Sequence, residues 1–312
     1  MLLIFLLLIL MVIIWSFSFI LVDIAVETLP PISIALYRFV VASAAFLLID
    51  LYLKLNKKSK IHKFDIFEDS PKFSKNDWLL LIIASFTGVS LFFTIQYISI
   101  SSIGPSLPAL FVCLLAPVLI TVFSLIFFDE KLNKLKIICF VIATIGGFLL
   151  VTGGDLKTLT PESPNFIGYL FALLTPVLWG IYTTCTKKIT ESKSNYKMLK
   201  YIAYLGTIEL FIFVLLNNEL QIFIDNFLNI TLFLSALYLG VGCYVIGYFI
   251  WNKSQKEEKS YKVASFLYIE PFLTLIFSFL LQRSEIIVIW NIVGGFIVLG
   301  AVIIINMTKS KS

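Results

Sequence analysis

Residues 116–130, APVLITVFSLIFFDE, return near the end of the chain as residues 270–285, EPFLTLIFSFLLQRSE. In both stretches a proline opens an apolar run, and a glutamate follows it after 13 residues in the first copy and 14 in the second. The two prolines, Pro117 and Pro271, are 154 residues apart. The same shift aligns two further pairs, which are Tyr97 with Trp251 and Gly88 with Gly242. The sequence therefore predicts an internal duplication.

The positive charges of the chain fall into alternate gaps between ten apolar runs. Of its 24 lysines and arginines, 21 lie in the even-numbered gaps and the C-terminal tail, at 54–75, 131–136, 187–200, 253–262 and 309–311. The odd-numbered gaps hold only Lys157 and Arg283, and Arg38 lies inside a run. Because basic residues stay on the cytoplasmic side of a membrane, this pattern predicts a multi-pass membrane protein with both termini in the cytoplasm.

The composition also indicates a membrane protein rather than a soluble one. Hydrophobic residues make up 59% of the chain and charged residues 14%, against roughly 45–50% and about 25% in soluble domains. The net charge of +5 lies in loops that face anionic lipid, so nucleic acid is not an expected partner. At about 20 apolar residues per span, we predict an all-α fold with helices at 2–22, 30–53, 78–98, 105–127, 137–152, 166–186, 198–216, 227–250, 262–281 and 286–306.

The duplication and the charge pattern together predict that the second copy is inverted in the membrane. Each copy holds five spans, and an odd number turns the second copy upside down. Glu130 is followed by lysines in DEKLNKLK, whereas the loop that contains Glu285 has one cation. Inverted repeats of this kind are typical of transporters with a site near the midplane. The expected parts are a first five-helix repeat at 1–152 with a cytoplasmic loop at 54–77, an inter-repeat loop at 153–165, and a second repeat at 166–312.

Further residues recur in the same order in the two halves. The first half contains Trp15-Ser16-Phe17, Ala116-Pro117-Val118, Glu130-Lys131-Leu132 and Gly146-Gly147, and the second contains Trp179-Gly180, Tyr268-Ile269-Glu270-Pro271, Glu285 and Gly294-Gly295. This series resembles the EamA-type repeat of the drug/metabolite transporter superfamily over nearly the whole chain. The resemblance implies ten transmembrane helices and transport of small polar metabolites, often amino acids or related compounds, commonly outward. It also implies a cavity lined mainly by the third, fourth, eighth and ninth helices.

The arginine inside the second span is the first candidate for a substrate contact. Arg38 lies about eight residues into that helix, which is roughly 12 Å along its axis. A charge at depth costs about 2.5–3.5 kcal/mol on insertion scales and usually faces a partner or a wet cavity. The open alternatives are an anion clamp, half of a switching ion pair, a static pair that orients helices, and a side chain that reaches back to the headgroups.

Two carboxylates inside spans are the acidic candidates. Glu209 lies in the middle of the seventh predicted helix, where it either exchanges protons or forms a fixed hydrogen-bonded pair. Glu270 precedes Pro271 in the ninth helix. Proline removes an N–H and crowds the preceding turn, so helix kinks are predicted at Pro117 and Pro271. Glu270 then either lines the cavity or shapes the kink.

The remaining candidates are uncharged. Gln96 and Asn291 lie within or near spans, where amides either hold helices together or contact a ligand. Among the aromatic residues, Tyr97 and Tyr268 are expected to face the transport pathway. The four cysteines all lie inside predicted spans and are expected to pack there. Their spacing predicts neither a disulfide framework nor a metal site.

The leading hypothesis is a secondary transporter, an exporter or facilitator, that works by alternating access in the cell membrane. Its expected partners are the lipid bilayer, a small-molecule substrate and a coupling ion, with a proton as one possibility; no cofactor is expected. The alternatives are a channel and a membrane-embedded enzyme acting on lipid or isoprenoid substrates. A channel needs continuous polar stripes, and the polar residues here are isolated. An enzyme needs a His/Asp/Glu cluster at one membrane face, and the one histidine, His62, lies in a charged loop.

Overall fold

The computed structural model describes residues 2–55, 71–152, 166–283 and 288–307. Within these residues the backbone forms helices and no strand, which confirms the all-α expectation. The inter-repeat loop at 153–165, Glu285, the C-terminal lysines and most of the 54–77 loop lie outside the described residues.

Ten long helices follow one another in the described part of the chain. Those of the first half are α1, Leu2–Ala25; α2, Pro31–Leu55; α3, Lys75–Ile103; α4, Ser106–Phe127; and α5, Lys134–Thr152. Those of the second half are α6, Phe166–Thr190; α7, Asn195–Leu216; α8, Ile230–Glu257; α9, Ser260–Leu280; and α10, Ile289–Met307. A short helix that hydropathy did not predict, Leu220–Asn226, lies between α7 and α8.

Eight of these helices, all except α5 and α10, are long and apolar enough to cross a membrane. Helices α5 and α10 have 19 residues each. At 1.5 Å per residue this corresponds to about 28 Å, close to the roughly 30 Å of the apolar bilayer core. The chain is therefore a multi-pass helical membrane protein with eight candidate spans among its described residues.

Two of the helices contain π-helical segments at corresponding places. The segment of α3 is Phe86–Ser90, and that of α8 is Tyr238–Tyr248. A shift of 154 residues carries the first segment into the second. The duplication thus extends to the backbone conformation, at a feature that often marks functional sites.

Helices of the two halves interlock. Helix α1 packs against α9, α4 against α6, and α5 against α10. Trp15 of α1 meets Trp179 of α6 edge to face, with ring centroids 5.5 Å apart. Trp15 and Trp179 are equivalent residues of the two copies, at a shift of 164. Because equivalent residues meet only near the axis that relates them, this pair marks the centre of the molecule.

Two glycines set how closely helices approach around that centre. A Cβ added to Gly240 on α8 would lie 2.6 Å from the backbone oxygen of Arg38 on α2. A Cβ on Gly88, in the π segment of α3, would lie 2.0 Å from the ring of Tyr182 on α6. Any other residue would push these elements apart, since a backbone atom or a packed ring cannot yield that much space.

Candidate functional site

A cavity lies beside the tryptophan pair. Its wall is built from α1, α2, α3, α4, α6, α8 and α9, so both halves contribute to it. Its polar lining residues are Ser18, Arg38, Gln96, Cys113 and Glu270. Its aromatic lining residues are Trp15, Phe19, Phe92, Phe93, Trp179 and Tyr248. The third, fourth, eighth and ninth helices all take part, as the resemblance implies, and α1, α2 and α6 join them.

Arg38 is buried in the cavity wall, and none of the described acidic residues pairs with it. Its Nη1 donates a hydrogen bond of 2.9 Å to the hydroxyl of Tyr97. Its guanidinium carbon lies 4.0 Å from the centre of the Phe93 ring. Its Nε is buried and has no hydrogen-bond partner among the described residues. A ring face and a neutral hydroxyl offset only part of the cost of burying a guanidinium, so an anionic ligand would complete this site.

Glu270 brings a carboxyl group to the same cavity. Its side chain is buried, and the thiol of Cys113 donates to its Oε2 at 3.3 Å. No described cation forms a salt bridge with it. Helix α9 changes at this point from a 3₁₀ segment, Phe266–Ile269, to an α-helix that begins at Glu270. The cavity therefore presents one cationic and one acidic side chain, and neither neutralises the other through an ion pair.

An aromatic cluster forms another wall of the cavity. Tyr248 lies 5.6 Å from Trp15 and 5.2 Å from Trp179 between ring centroids, and both contacts are edge to face. The indole N–H of Trp15 donates to the carbonyl of Cys243 at 3.0 Å. This bond fixes the orientation of the ring in the cavity wall. Aromatic faces of this kind attract ammonium groups.

A charged network holds the start of α9. Glu130, in the loop after α4, accepts hydrogen bonds from Lys187 Nζ at 2.6 Å and from the backbone N–H of Ser260 at 3.0 Å. Lys187 also donates to the hydroxyl of Ser260 at 2.6 Å. Both charged side chains are largely buried. We call these three residues the Lys187 network; it ties α4, α6 and α9 together at one end of the bundle.

A second network holds the opposite end of α9. Arg283 pairs with Asp23 at 2.7 Å and with Glu27 at 2.6 Å. The hydrogen bond that the Arg283 guanidinium donates to the Glu27 carboxylate is the main cause that raises the pKa of Arg283. We call these residues the Arg283 network. Asp23 and Lys187 are equivalent at the shift of 164 residues, so the two copies carry opposite charges at one position.

Glu209 lies outside the cavity, where α7 packs against α3. Its Oε1 accepts a hydrogen bond of 2.7 Å from Ser85, and its Oε2 accepts one of 2.6 Å from Ser90. The structure thus separates this carboxyl from Arg38 and from Glu270.

The uncharged candidates are distributed over several environments. Gln96 is buried and lines the cavity, and Tyr97 supports Arg38 from behind the wall. Tyr268 is buried in a second core cluster, with its hydroxyl 3.4 Å from that of Thr144, and is not among the cavity-lining residues. The side chain of Asn291 lies outside the described part of the structure.

The two predicted kink positions differ in backbone structure. Helix α4 is described as one α-helix through Pro117, whereas α9 carries its 3₁₀ segment directly before Pro271. The residues four positions before the prolines, Cys113 and Leu267, both line the cavity. Both proline-containing helices therefore reach the cavity, one from each half.

Several residues that line the cavity were not predicted from the sequence. Phe93 precedes Tyr97 by four residues and shares its helix face, a signal that could have identified it. Cys113 stands one turn before Pro117 and was expected only to pack. Trp15 and Trp179 were noted only as recurring residues of the two halves, and they also form part of the cavity wall.

The profile of the EamA-like transporter family matches this chain twice, over residues 2–152 and 166–307. A protein of Archaeoglobus fulgidus named "Uncharacterized transporter" is 26% identical over 299 residues, which covers 95% of each chain. A protein of Clostridium kluyveri with the same name is 26% identical over 79% of this chain and 78% of its own length. In Bacillus subtilis, "Uncharacterized transporter YyaM" is 22% identical over 86% of this chain and 82% of its own length.

A solved crystal structure shares the fold. It superposes with a TM-score of 0.67 over 97% of this chain and 96% of the other, at 15% sequence identity. At that identity the similarity concerns the arrangement of helices alone.

Proposed function

Because this chain belongs to the EamA-like transporter family, we propose that it is a secondary transporter of small polar solutes that carry a carboxylate. Amino acids and related compounds are the first class to test. The observation that carries the proposal is the buried Arg38 guanidinium. It faces a cavity built by both halves, and no described acidic residue neutralises it.

The two charged groups of the cavity fit the two charged groups of an amino acid. A guanidinium binds a carboxylate through two parallel hydrogen bonds, so Arg38 would hold the acid group. An ammonium group would lie near Glu270, against the ring faces of Trp15 and Trp179.

The two charged networks support alternating access around this cavity. Glu270 lies ten residues from each end of α9, and each end is tied to a residue of the first half through one network. In the proposed cycle, the Arg283 network opens while the Lys187 network holds, and the reverse then follows. Rocking of two inverted repeats around a fixed site would produce this alternation.

The proposed membrane arrangement has ten spans in two inverted repeats, 1–152 and 166–312, with both termini in the cytoplasm. The lysine distribution supports it. The Lys187 network would then lie at the cytoplasmic face and the Arg283 network at the outer face. We place the protein in the cell membrane, as an exporter or a facilitator.

A transport assay in liposomes tests the proposal. Purified protein is screened for uptake of radiolabelled amino acids, other organic acids, sugars and nucleosides, beside the Arg38→Gln variant. We expect uptake of at least one carboxylate-bearing solute, reduced at least about tenfold in the variant, or roughly 1.4 kcal/mol. Uptake of neutral sugars alone, unchanged in Arg38→Gln, would refute this substrate class.

A further inference from the structure

The carboxyl group of Glu209 is held by two serines at the borders of the π segment in α3. Ser85 directly precedes the segment Phe86–Ser90, and Ser90 ends it. The two hydroxyl oxygens lie 2.7 and 2.6 Å from the two carboxyl oxygens. Both serines are fully buried, whereas Glu209 is partly exposed. The cluster joins α7 to the irregular turn of α3.

The hydrogen count of this cluster permits two protonation states. The hydroxyl of Ser85 also lies 2.9 Å from the carbonyl oxygen of Ile82, yet it has a single hydrogen to donate. With an ionised carboxyl, the serine donates to Glu209. With a protonated carboxyl, Glu209 donates to the serine, which then donates to Ile82. Rotation of one hydroxyl therefore accommodates one proton without leaving a donor unpaired.

Among the described residues, the hydrogen-bond partners of Glu209 are two serine hydroxyls, and no described cation forms an ion pair with it. Tyr204, on the same helix, has a buried hydroxyl with no partner among the described residues. Several charged groups of the neighbouring helices are engaged elsewhere: Arg38 with Tyr97, Asp50 with Lys200, Asp77 with Lys193, Lys187 with Glu130, and Lys253 with Glu257. The serine hydroxyls are thus the groups that compensate this carboxyl.

The surroundings of Glu209 place it beside lipid. Ile208, Phe211 and Ile212 on α7 are 59%, 43% and 47% exposed, which marks the face of the helix that meets acyl chains. A carboxyl at such a boundary is within reach of a hydrophobic reagent dissolved in the bilayer.

We propose that Glu209, with Ser85 and Ser90, forms a proton-binding site separate from the solute cavity. Proton binding redirects the Ser85 hydroxyl to the carbonyl of Ile82, and that carbonyl also accepts the N–H of Phe86 at the start of the π segment. Gln96 lines the cavity from the same helix, six residues after the π segment ends at Ser90. Protonation of Glu209 would thereby change the hydrogen bonding at the start of the π segment. The use of this change as a coupling step rests on the proposed transport function, whereas the proton-binding site itself does not.

The first experiment labels the carboxyl with dicyclohexylcarbodiimide, which reacts with protonated carboxyl groups from within the lipid phase. Purified protein in liposomes is treated over a range of pH, and adducts are mapped by mass spectrometry. We expect an adduct at Glu209 that declines along a one-proton titration as pH rises. The water-facing Glu257, 43% exposed, is the internal control and stays unlabelled. An adduct at Glu209 that is independent of pH would overturn the proposal.

The second experiment needs no reagent to reach the site. The infrared difference spectrum between acidic and alkaline protein is expected to contain a carboxyl C=O band that Glu209→Gln loses and Glu270→Gln keeps. Identical difference spectra in the wild type and Glu209→Gln would exclude the proton site, whatever the labelling shows. Neither experiment requires a transported solute, so a failed solute screen leaves this result standing.

Hydrogen exchange tests the link to the π segment. After correction for the intrinsic pH dependence, amides 86–91 of the wild type should change their protection with pH. The π segment of α8, Tyr238–Tyr248, is the matched control and should not change. In Glu209→Gln the pH effect at 86–91 should disappear. An unchanged pH effect in Glu209→Gln would overturn the coupling between protonation and this helix.

Discussion

At the residue scale, Arg38 is surrounded by neutral groups. Its contacts are the hydroxyl of Tyr97 and the rings of Phe93 and Phe39, at 4.0 and 5.5 Å. A guanidinium can stack on a ring and still present a planar pair of donors to a carboxylate, whereas an ammonium acts as a point charge. Arginine is therefore favoured here for its shape as well as for its charge.

The Arg38→Lys variant separates these two properties. We expect it to insert and fold, since the positive charge is kept, but to transport a carboxylate solute at least about tenfold more slowly, roughly 1.4 kcal/mol. Initial uptake rates in liposomes, normalised to protein content, measure the effect, and melting in detergent controls for folding. Wild-type uptake by Arg38→Lys would show that the residue acts only as a membrane anchor, because lysine also reaches headgroups.

The second prediction at the residue scale concerns the close packing at Gly88. The ring of Tyr182, which a Cβ at this position would overlap, stacks on Trp179 at 4.9 Å and accepts a hydrogen bond from Asn252. It therefore has little freedom to move. Gly88→Ala is expected to destabilise the protein by about 1–3 kcal/mol through overpacking.

Thermal melting in detergent measures this change. The matched control is Gly300→Ala in α10, where no atom other than the adjacent residues and the helix's own backbone lies within 4 Å of the added Cβ. There alanine should be neutral or stabilise by up to about 1 kcal/mol through helix propensity. Equal melting temperatures for the two variants would contradict the tight contact at Gly88.

At the element scale, α9 links the cavity to both ends of the bundle. Its start is bound by Glu130 and Lys187, its centre carries Glu270, and the residue Arg283 beyond its end is bound by Asp23. A rigid helix held at both ends and lining the site in between can transmit the release of one end to the cavity. The two networks are therefore the elements at which alternation should be sensitive to mutation.

Alkylation of Cys113 tests this element. Its thiol lines the cavity and is buried, so the other three cysteines are replaced and this one remains as the reporter. Lys187→Gln removes one partner of a largely buried pair, a change that typically costs about 3–5 kcal/mol. We expect faster reaction of Cys113 with an impermeant maleimide from the cytoplasmic side. Arg283→Gln should accelerate the reaction from the outer side instead.

Two results test whether each network closes one end of α9. A Lys187→Glu, Glu130→Lys double variant should restore slow labelling if the pair itself closes that end. Acceleration from the same side in both single variants would contradict the assignment of one network to each face.

At the scale of the whole molecule, the prediction concerns orientation in the membrane. In a cysteine-free protein, single cysteines are placed at Ser192, in the exposed turn after α6, and at Asn217, exposed at the end of α7. In intact cells an impermeant maleimide should label Asn217→Cys and spare Ser192→Cys, whereas a permeant one should label both. External labelling of Ser192→Cys would overturn the proposed topology.

The sequence alone determined the helices and their duplication. The bilayer imposes a length and a polarity on each segment, and these constraints act along the chain, so hydropathy and lysine counts are enough to detect them. The predicted helix positions agree with α1 to α10 to within several residues. The short Leu220–Asn226 helix was missed because it is too short for a hydropathy window. Arg38, Gln96 and Glu270 could be selected because a polar residue within a span is conspicuous.

Only the tertiary structure decided which face of each helix meets the cavity. A helix that is apolar all round gives no rotational signal, since lipid tails and the protein interior are equally apolar. The sequence therefore left open whether Glu209 or Glu270 would meet Arg38. Packing placed Glu270 in the cavity, Tyr268 in a separate core and Glu209 against Ser85, a residue 124 positions away in the chain. Contacts between such distant residues depend on the rotation of each helix and on close packing. The hydropathy of a single span determines neither of these.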